Sequence, residues 1–136
     1  MSTDSSKINS RLTPARENYL RALYQLARSG GGVRLTDLAH VQGVRLPTAR
    51  HAVDRLREAG MVLQESYGLI TLTACGQDTG RVLADRFELM RKFLVEILEV
   101  GESAAEREAC QMEHHLDQDT LNRIASFMQR SPVIAR

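Results

Sequence analysis

The sequence predicts a mainly α-helical chain: three short helices and a hairpin, then a long helix and two more. Three observations predict it. Apolar residues make up 43% of the 136, yet aromatics are only 4% and tryptophan does not occur, so the core must be aliphatic, which suits packed helices. Apolar residues recur at three- and four-residue spacing through most of the chain. In the N-terminal half, a glycine separates two short helical stretches directly ahead of an alternating, turn-centred pattern.

Taken in order, Met1 to Arg11 is polar and serine-rich and reads as a loose arm. Thr13-Pro14 opens the first helix, with Thr as N-cap and Pro tolerated at the first position. Tyr19, Leu20, Leu23, Tyr24 and Leu26 carry its apolar stripe, and Ser29-Gly30-Gly31-Gly32 stops it. Thr36 is the expected N-cap of a second short helix whose buried side is Leu38, Ala39 and Val41, and Gly43 ends it in a tight left-handed turn. A third helix runs from near Pro47 to Ala59, with Ala49, Ala52, Val53 and Leu56 inward and Gly60 closing it. Val62, Leu63, Leu69, Ile70 and Leu72 around Ser66-Tyr67-Gly68 read as a hairpin. Thr73 caps a long helix that keeps the 3.6-residue period to Leu98, and Gly101 breaks it. Two more helices are expected: Ser103 to Leu116, opened by a Ser103/Glu106 capping box, and Asp117 to about Arg130.

This order is that of a winged helix-turn-helix followed by a helical dimerisation domain. The expected division is an arm at residues 1–12, a winged helix at 13–73 and a helical region at 74–136.

Formal net charge is +1, so any nucleic-acid contact must come from local clustering. Two cysteines, Cys75 and Cys110, make no disulfide framework, and no stretch is apolar enough for a signal core or a membrane span. A soluble, cytoplasmic protein is expected.

In a helix-turn-helix the second helix enters the major groove and its N-terminal residues touch base edges. With the apolar positions turned inward, that helix presents Pro47, Thr48, Arg50, His51 and Arg55, and Arg45 lies in the turn before it. Arg and His can donate to guanine or phosphate, and Thr can meet a thymine methyl. Tyr67 at the hairpin tip either touches phosphate or caps the wing. The bland alternative for the whole set is a solvated charged face, or a winged helix that binds protein.

Cys110, Glu113 and His114 stand at i, i+3 and i+4, which on a helix is one face. Thiolate, carboxylate and imidazole make a transition-metal triad, and equally a packing cysteine beside a surface Glu-His pair. A cysteine next to histidine can also be an oxidisable thiol. No glycine-rich phosphate loop or zinc-protease spacing occurs, so an enzyme is not expected.

From Thr13 to about Met128 the chain resembles the metal-dependent repressors of the diphtheria-toxin-repressor and manganese-transport-regulator family. The residues that carry the resemblance are Glu17 to Arg21 with Tyr24, Leu38-Ala39 through Pro47-Thr48, Leu56 to Val62, Leu69 to Gly76, Arg86 to Leu94, and Glu108 to His115. The resemblance implies a homodimeric repressor on a palindromic operator in double-stranded DNA. It also implies one divalent metal per subunit, bound between the first helix and the dimerisation helices. Carried over by position, Cys110, Glu113 and His114 match three ligands, and Asn18 stands where the fourth belongs. Arg21, Phe87 and Arg91 stand where the family places further ligands, so a second metal is not expected. The donor set suits Fe(II), Zn(II), Co(II) or Ni(II) better than Mn(II), which the manganese branch uses. A degenerate site with no metal is the competing reading, giving a metal-independent or thiol-responsive regulator. The length, which ends at Arg136, resembles the short, manganese-regulator form. Phe87, Met90, Phe93, Leu94 and Ile97 on the long helix are the expected contacts between copies.

Overall fold

A computed structural model of the chain describes residues 12–27, 31–64 and 68–130. It divides into two compact units, Met1–Ala84 and Asp85–Arg136.

In the first unit α1 is Pro14–Leu26. Thr13 caps it as expected, its hydroxyl accepting the Arg16 amide at 3.2 Å. Tyr19, Leu20, Ala22 and Leu23 face the core. The helix stops at Leu26 with Ala27 as its cap; of the expected stop signal, Ser29 and Gly30 lie outside the described residues.

Helix α2 is Leu35–Gln42. Its N-cap is Arg34 with no side-chain cap, so Thr36 lies inside the first turn rather than capping it. Val41 was expected inside and is 54% exposed: Leu38 and Ala39 alone make this short helix's buried side. Gly43 adopts φ 66°, the left-handed turn read from the sequence. Helix α3 follows at once, Leu46–Glu58, burying Ala49, Ala52, Val53 and Leu56.

Strands β1, Val62–Gln64, and β2, Ile70–Leu72, pair antiparallel with Val62 opposite Leu72. The pattern missed a third element of the wing. Val33 exchanges both backbone hydrogen bonds with Ile70, at 2.8 and 2.9 Å, so the segment between α1 and α2 is stitched to the hairpin. A single residue carries no period, which is why no pattern showed it.

Helix α4 is Ala74–Lys92. Thr73 holds its start twice over: its hydroxyl accepts the Gly76 amide at 3.0 Å and donates to the Gly60 carbonyl at 2.7 Å. Gly76 and Gly80, one turn apart, let α4 lie against the backbone. A Cβ on Gly76 would fall 1.9 Å from the Met61 carbonyl oxygen, and one on Gly80 would fall 2.8 Å from Tyr24 Cβ.

In the second unit the last turns of α4 run into a π-helical turn, Phe93–Ile97, in which the Leu98 amide reaches back five residues to the Phe93 carbonyl at 3.2 Å. The expected unbroken helix to Leu98 is therefore widened near its end. Glu99 follows with φ 59°. Helix α5 is Glu102–Met112, capped by Gly101. Ser103 thus lies inside it and forms no capping box. The helix ends four residues before the expected Leu116, at a turn over residues 113–116. Helix α6 is Gln118–Arg130. The unit's core is Met90, Leu94, Ala105, Ala109 and Leu121, flanked by half-buried Phe87, Phe93, Leu116 and Ile124.

Candidate DNA-reading face and metal centre

The first turns of α3 stand out in the first unit. Ala49 and Val53 are fully buried and fix the helix's rotation. That rotation leaves Arg45, Pro47, Thr48, Arg50 and His51 exposed. The first turn holds no acidic residue, so the positive helix N-terminus is not offset there. Among the described residues, Arg45 and Arg50 form no ion pair, while the arginines further along do. Arg55 pairs with Glu58, and Arg57 holds Asp54 at 3.0 Å and Gln64 at 3.2 Å. Arg55, expected to read DNA, is thus occupied and half-buried, and Arg57 ties α3 to β1. Two exposed apolar residues were not singled out from the sequence: Val41, and Leu46 at the first position of α3, which is 46% exposed. Tyr67 lies outside the described residues.

In the second unit, Glu113 continues the α5 backbone path with φ −64° and ψ −23°, its amide donating to the Ala109 carbonyl at 3.1 Å. Its side chain is fully buried. His114 lies in the turn, its side chain 2% exposed, and its Nε2 is 3.2 Å from Glu113 Oε2. His115 is exposed, and Cys110 is half-buried. The structure therefore brings two of the expected donors together. Among the described residues it assembles no group of three or more His, Cys, Asp or Glu side chains able to hold a metal ion, so Cys110 does not complete a triad. The helical spacing that suggested one face fails because α5 ends at Met112, before His114. A buried carboxylate beside a buried imidazole is nonetheless a donor pair that fits a divalent transition ion.

Asn18 is half-buried on α1 in the first unit. It lies between Glu17 and Arg21, which are both buried. Phe87 packs against the second unit's core. Arg91 binds Glu88 through Nε at 3.0 Å and Nη2 at 2.6 Å, and reaches Glu102 at 3.3 Å. The Arg91 hydrogen bonds hold the Glu88 carboxyl below the usual carboxylate range and raise the Arg91 guanidinium in turn. Of the five residues expected between copies, Met90 and Leu94 are spent inside the unit's own core, while Phe87, Phe93 and Ile97 remain half-buried.

Comparison with known proteins separates the same two segments. Residues 11–69 match the iron dependent repressor N-terminal DNA-binding domain, and residues 73–132 match the iron dependent repressor metal-binding and dimerisation domain. The HTH-type transcriptional regulator MntR of Lysinibacillus sphaericus is 31% identical over 117 residues, 86% of this chain and 84% of that one. The chain belongs to the iron-dependent repressor family. Within the family, MntR of Bacillus subtilis is 30% identical over 86% of this chain and 82% of its own length. An HTH-type regulator of Methanocaldococcus jannaschii is 30% identical over 84% of this chain and 92% of its own length. Among solved structures, a manganese-dependent transcriptional repressor in complex with manganese superposes with a TM-score of 0.74 at 28% identity over 82% of this chain. The manganese regulator SloR shares the fold, with a TM-score of 0.78 at 24% identity over 88% of this chain. The chain spans about half the length of those two structures, 51% and 56%. Family members are transcriptional regulators. Among the described residues no helix is long and apolar enough to cross a membrane.

Proposed function

We propose that this chain is a homodimeric, sequence-specific DNA-binding repressor that answers to a divalent transition metal ion and works in the cytoplasm. Residues 13–73 read DNA and residues 74–136 sense the metal and join the copies, a division supported by family matches that meet between residues 69 and 73. The observation that carries the reading is the start of α3, where exposed Arg45, Arg50 and His51 flank exposed Pro47 and Thr48. Cations with no carboxylate partner can neutralise phosphate, and a helix start can enter the major groove.

For the metal, Glu113 and His114 are the donors, with Cys110 and Asn18 as the remaining candidates. The support is the buried carboxylate–imidazole pair, 3.2 Å apart, together with relatives that include a manganese-bound repressor. Fe(II), Mn(II), Zn(II) and Co(II) are the ions to test. A bound ion would supply a double positive charge that holds carboxylate and imidazole in one place. No catalytic step is assigned.

The test is selection of a binding sequence from random duplex DNA by the full chain, with and without each ion. A palindromic sequence enriched only with metal supports the whole reading. Enrichment without metal keeps the DNA half and removes the metal half. No enriched sequence removes both.

A further inference from the structure

Arg86, on α4, holds the turn that carries Glu113 and His114. Its Nη2 donates to the main-chain carbonyls of Glu113 at 3.2 Å and of Leu116 at 3.3 Å, residues 27 and 30 positions away in sequence. The last carbonyls of a helix have no partner within it, and a cation at that end also meets the negative pole of the helix dipole. Because α5 stops at Met112, those carbonyls fall in the turn. Only local amide bonds brace the turn from its own side, Glu113 to Ala109 at 3.1 Å and His115 to Met112 at 3.0 Å. The backbone between Glu113 and Leu116, which sets where the His114 ring points, is therefore pinned at both ends by one guanidinium on a different helix.

We propose that Arg86 is a positioning residue for the Glu113–His114 pair: it fixes the turn so that imidazole and carboxylate face each other. Groups behind metal donors commonly act this way, and losing one costs about 10- to 100-fold in metal affinity. The orientation half of the proposal stands on the metal-free structure alone, and only the affinity half rests on the metal reading above.

The experiment uses the full chain labelled on histidine, as parent, Arg86→Met and Arg86→Lys. In the metal-free protein, the His114 ring resonances should move in Arg86→Met and return toward the parent in Arg86→Lys, whose ammonium can still donate to both carbonyls. His40 and His51 of the first unit serve as internal references. Cobalt(II) titration followed by its visible absorption should show binding weakened about tenfold or more in Arg86→Met, with Arg86→Lys closer to the parent. A folded Arg86→Met with parental His114 resonances overturns the proposal. If the parent takes up no cobalt, the metal reading falls and the resonances alone decide Arg86. If Arg86→Met does not fold, Arg86→Gln, too short to span to the turn, replaces it under the same criteria.

Discussion

The two units are built to different standards of self-sufficiency. The first buries one continuous cluster, in which Leu20, Leu23, Leu38, Leu56, Ile70 and Leu83 come from every helix of the unit and from the hairpin. It is also locked by close backbone approaches at Gly76 and Gly80 and by the two-sided Thr73 cap. The second has a core of five residues, two of them alanine, and leaves Phe87, Phe93, Val95 and Ile97 half-buried and Leu98 55% exposed. Small cores rarely stabilise a unit alone. The difference teaches a division of labour: one unit is rigid by itself, and the other is completed from outside, as a dimerisation domain should be.

The strongest way to break this contrast is at Gly76. A Cβ there cannot coexist with the Met61 carbonyl. Gly76→Ala should cost the first unit about 3 kcal/mol, at the upper end of ordinary overpacking, read as a lowered midpoint in chemical denaturation. An undiminished midpoint would mean that α4 does not lie so close.

Completion from outside has its own signature. The unfolding temperature of the second unit should rise with protein concentration, because copies that bind only when folded stabilise by mass action. The first unit's should not. Calorimetry over a hundredfold range of concentration tests this, and a concentration-independent second transition would contradict it.

Thr73→Val removes a cap and a tie to Gly60 while keeping the bulk. It should cost about 1–2 kcal/mol, the usual range for a lost N-cap. Arg50→Ala should leave stability within about 0.5 kcal/mol, as surface changes do, yet lower operator affinity by about tenfold if Arg50 meets a base, which is worth about 1–3 kcal/mol. Fluorescence anisotropy and a thermal melt on one sample separate the two effects.

The smallest effect is acid-dependent. Arg91 lowers the Glu88 carboxyl in the folded chain. The pair therefore stabilises above the unfolded carboxyl's value of about 4.3 and is lost as pH falls through the lower folded value. Glu88 is 47% exposed, so solvent screening limits the gain to about 0.5 kcal/mol or less. Glu88→Gln should match the parent in stability at pH 2 and fall slightly behind it above pH 5; an equal gap at both would show that the ion pair is not the cause.

Much of the first unit was legible because local signals and packing agree there. Thr13, Gly43 and Thr73 each have one dominant physical role, and the structure gives each that role. The exposed start of α3 followed directly from the apolar face opposite it. Less was legible where tertiary contacts decide. Thr36 and Ser103 have capping chemistry, but their helices begin one residue earlier than a cap there requires, at Leu35 and Glu102. The π turn has apolar spacing indistinguishable from an α-helix over five residues. The Cys110–Glu113–His114 face was inferred from a helix assumed to continue, and it ends between the first residue and the last. Arg86 carried no signal, because its partners are main-chain carbonyls far along the sequence.

The account rests on α3 as the DNA-reading element, and one measurement meets it directly: affinity of the full chain for its selected operator, titrated across salt concentration, for the parent and for Arg45→Ala/Arg50→Ala. The prediction is steep weakening with salt in the parent and a slope reduced by about two in the double variant, roughly one per lost phosphate contact, if both arginines meet phosphate. Equal affinity and equal slope in the two proteins would contradict it and move the DNA-binding surface elsewhere.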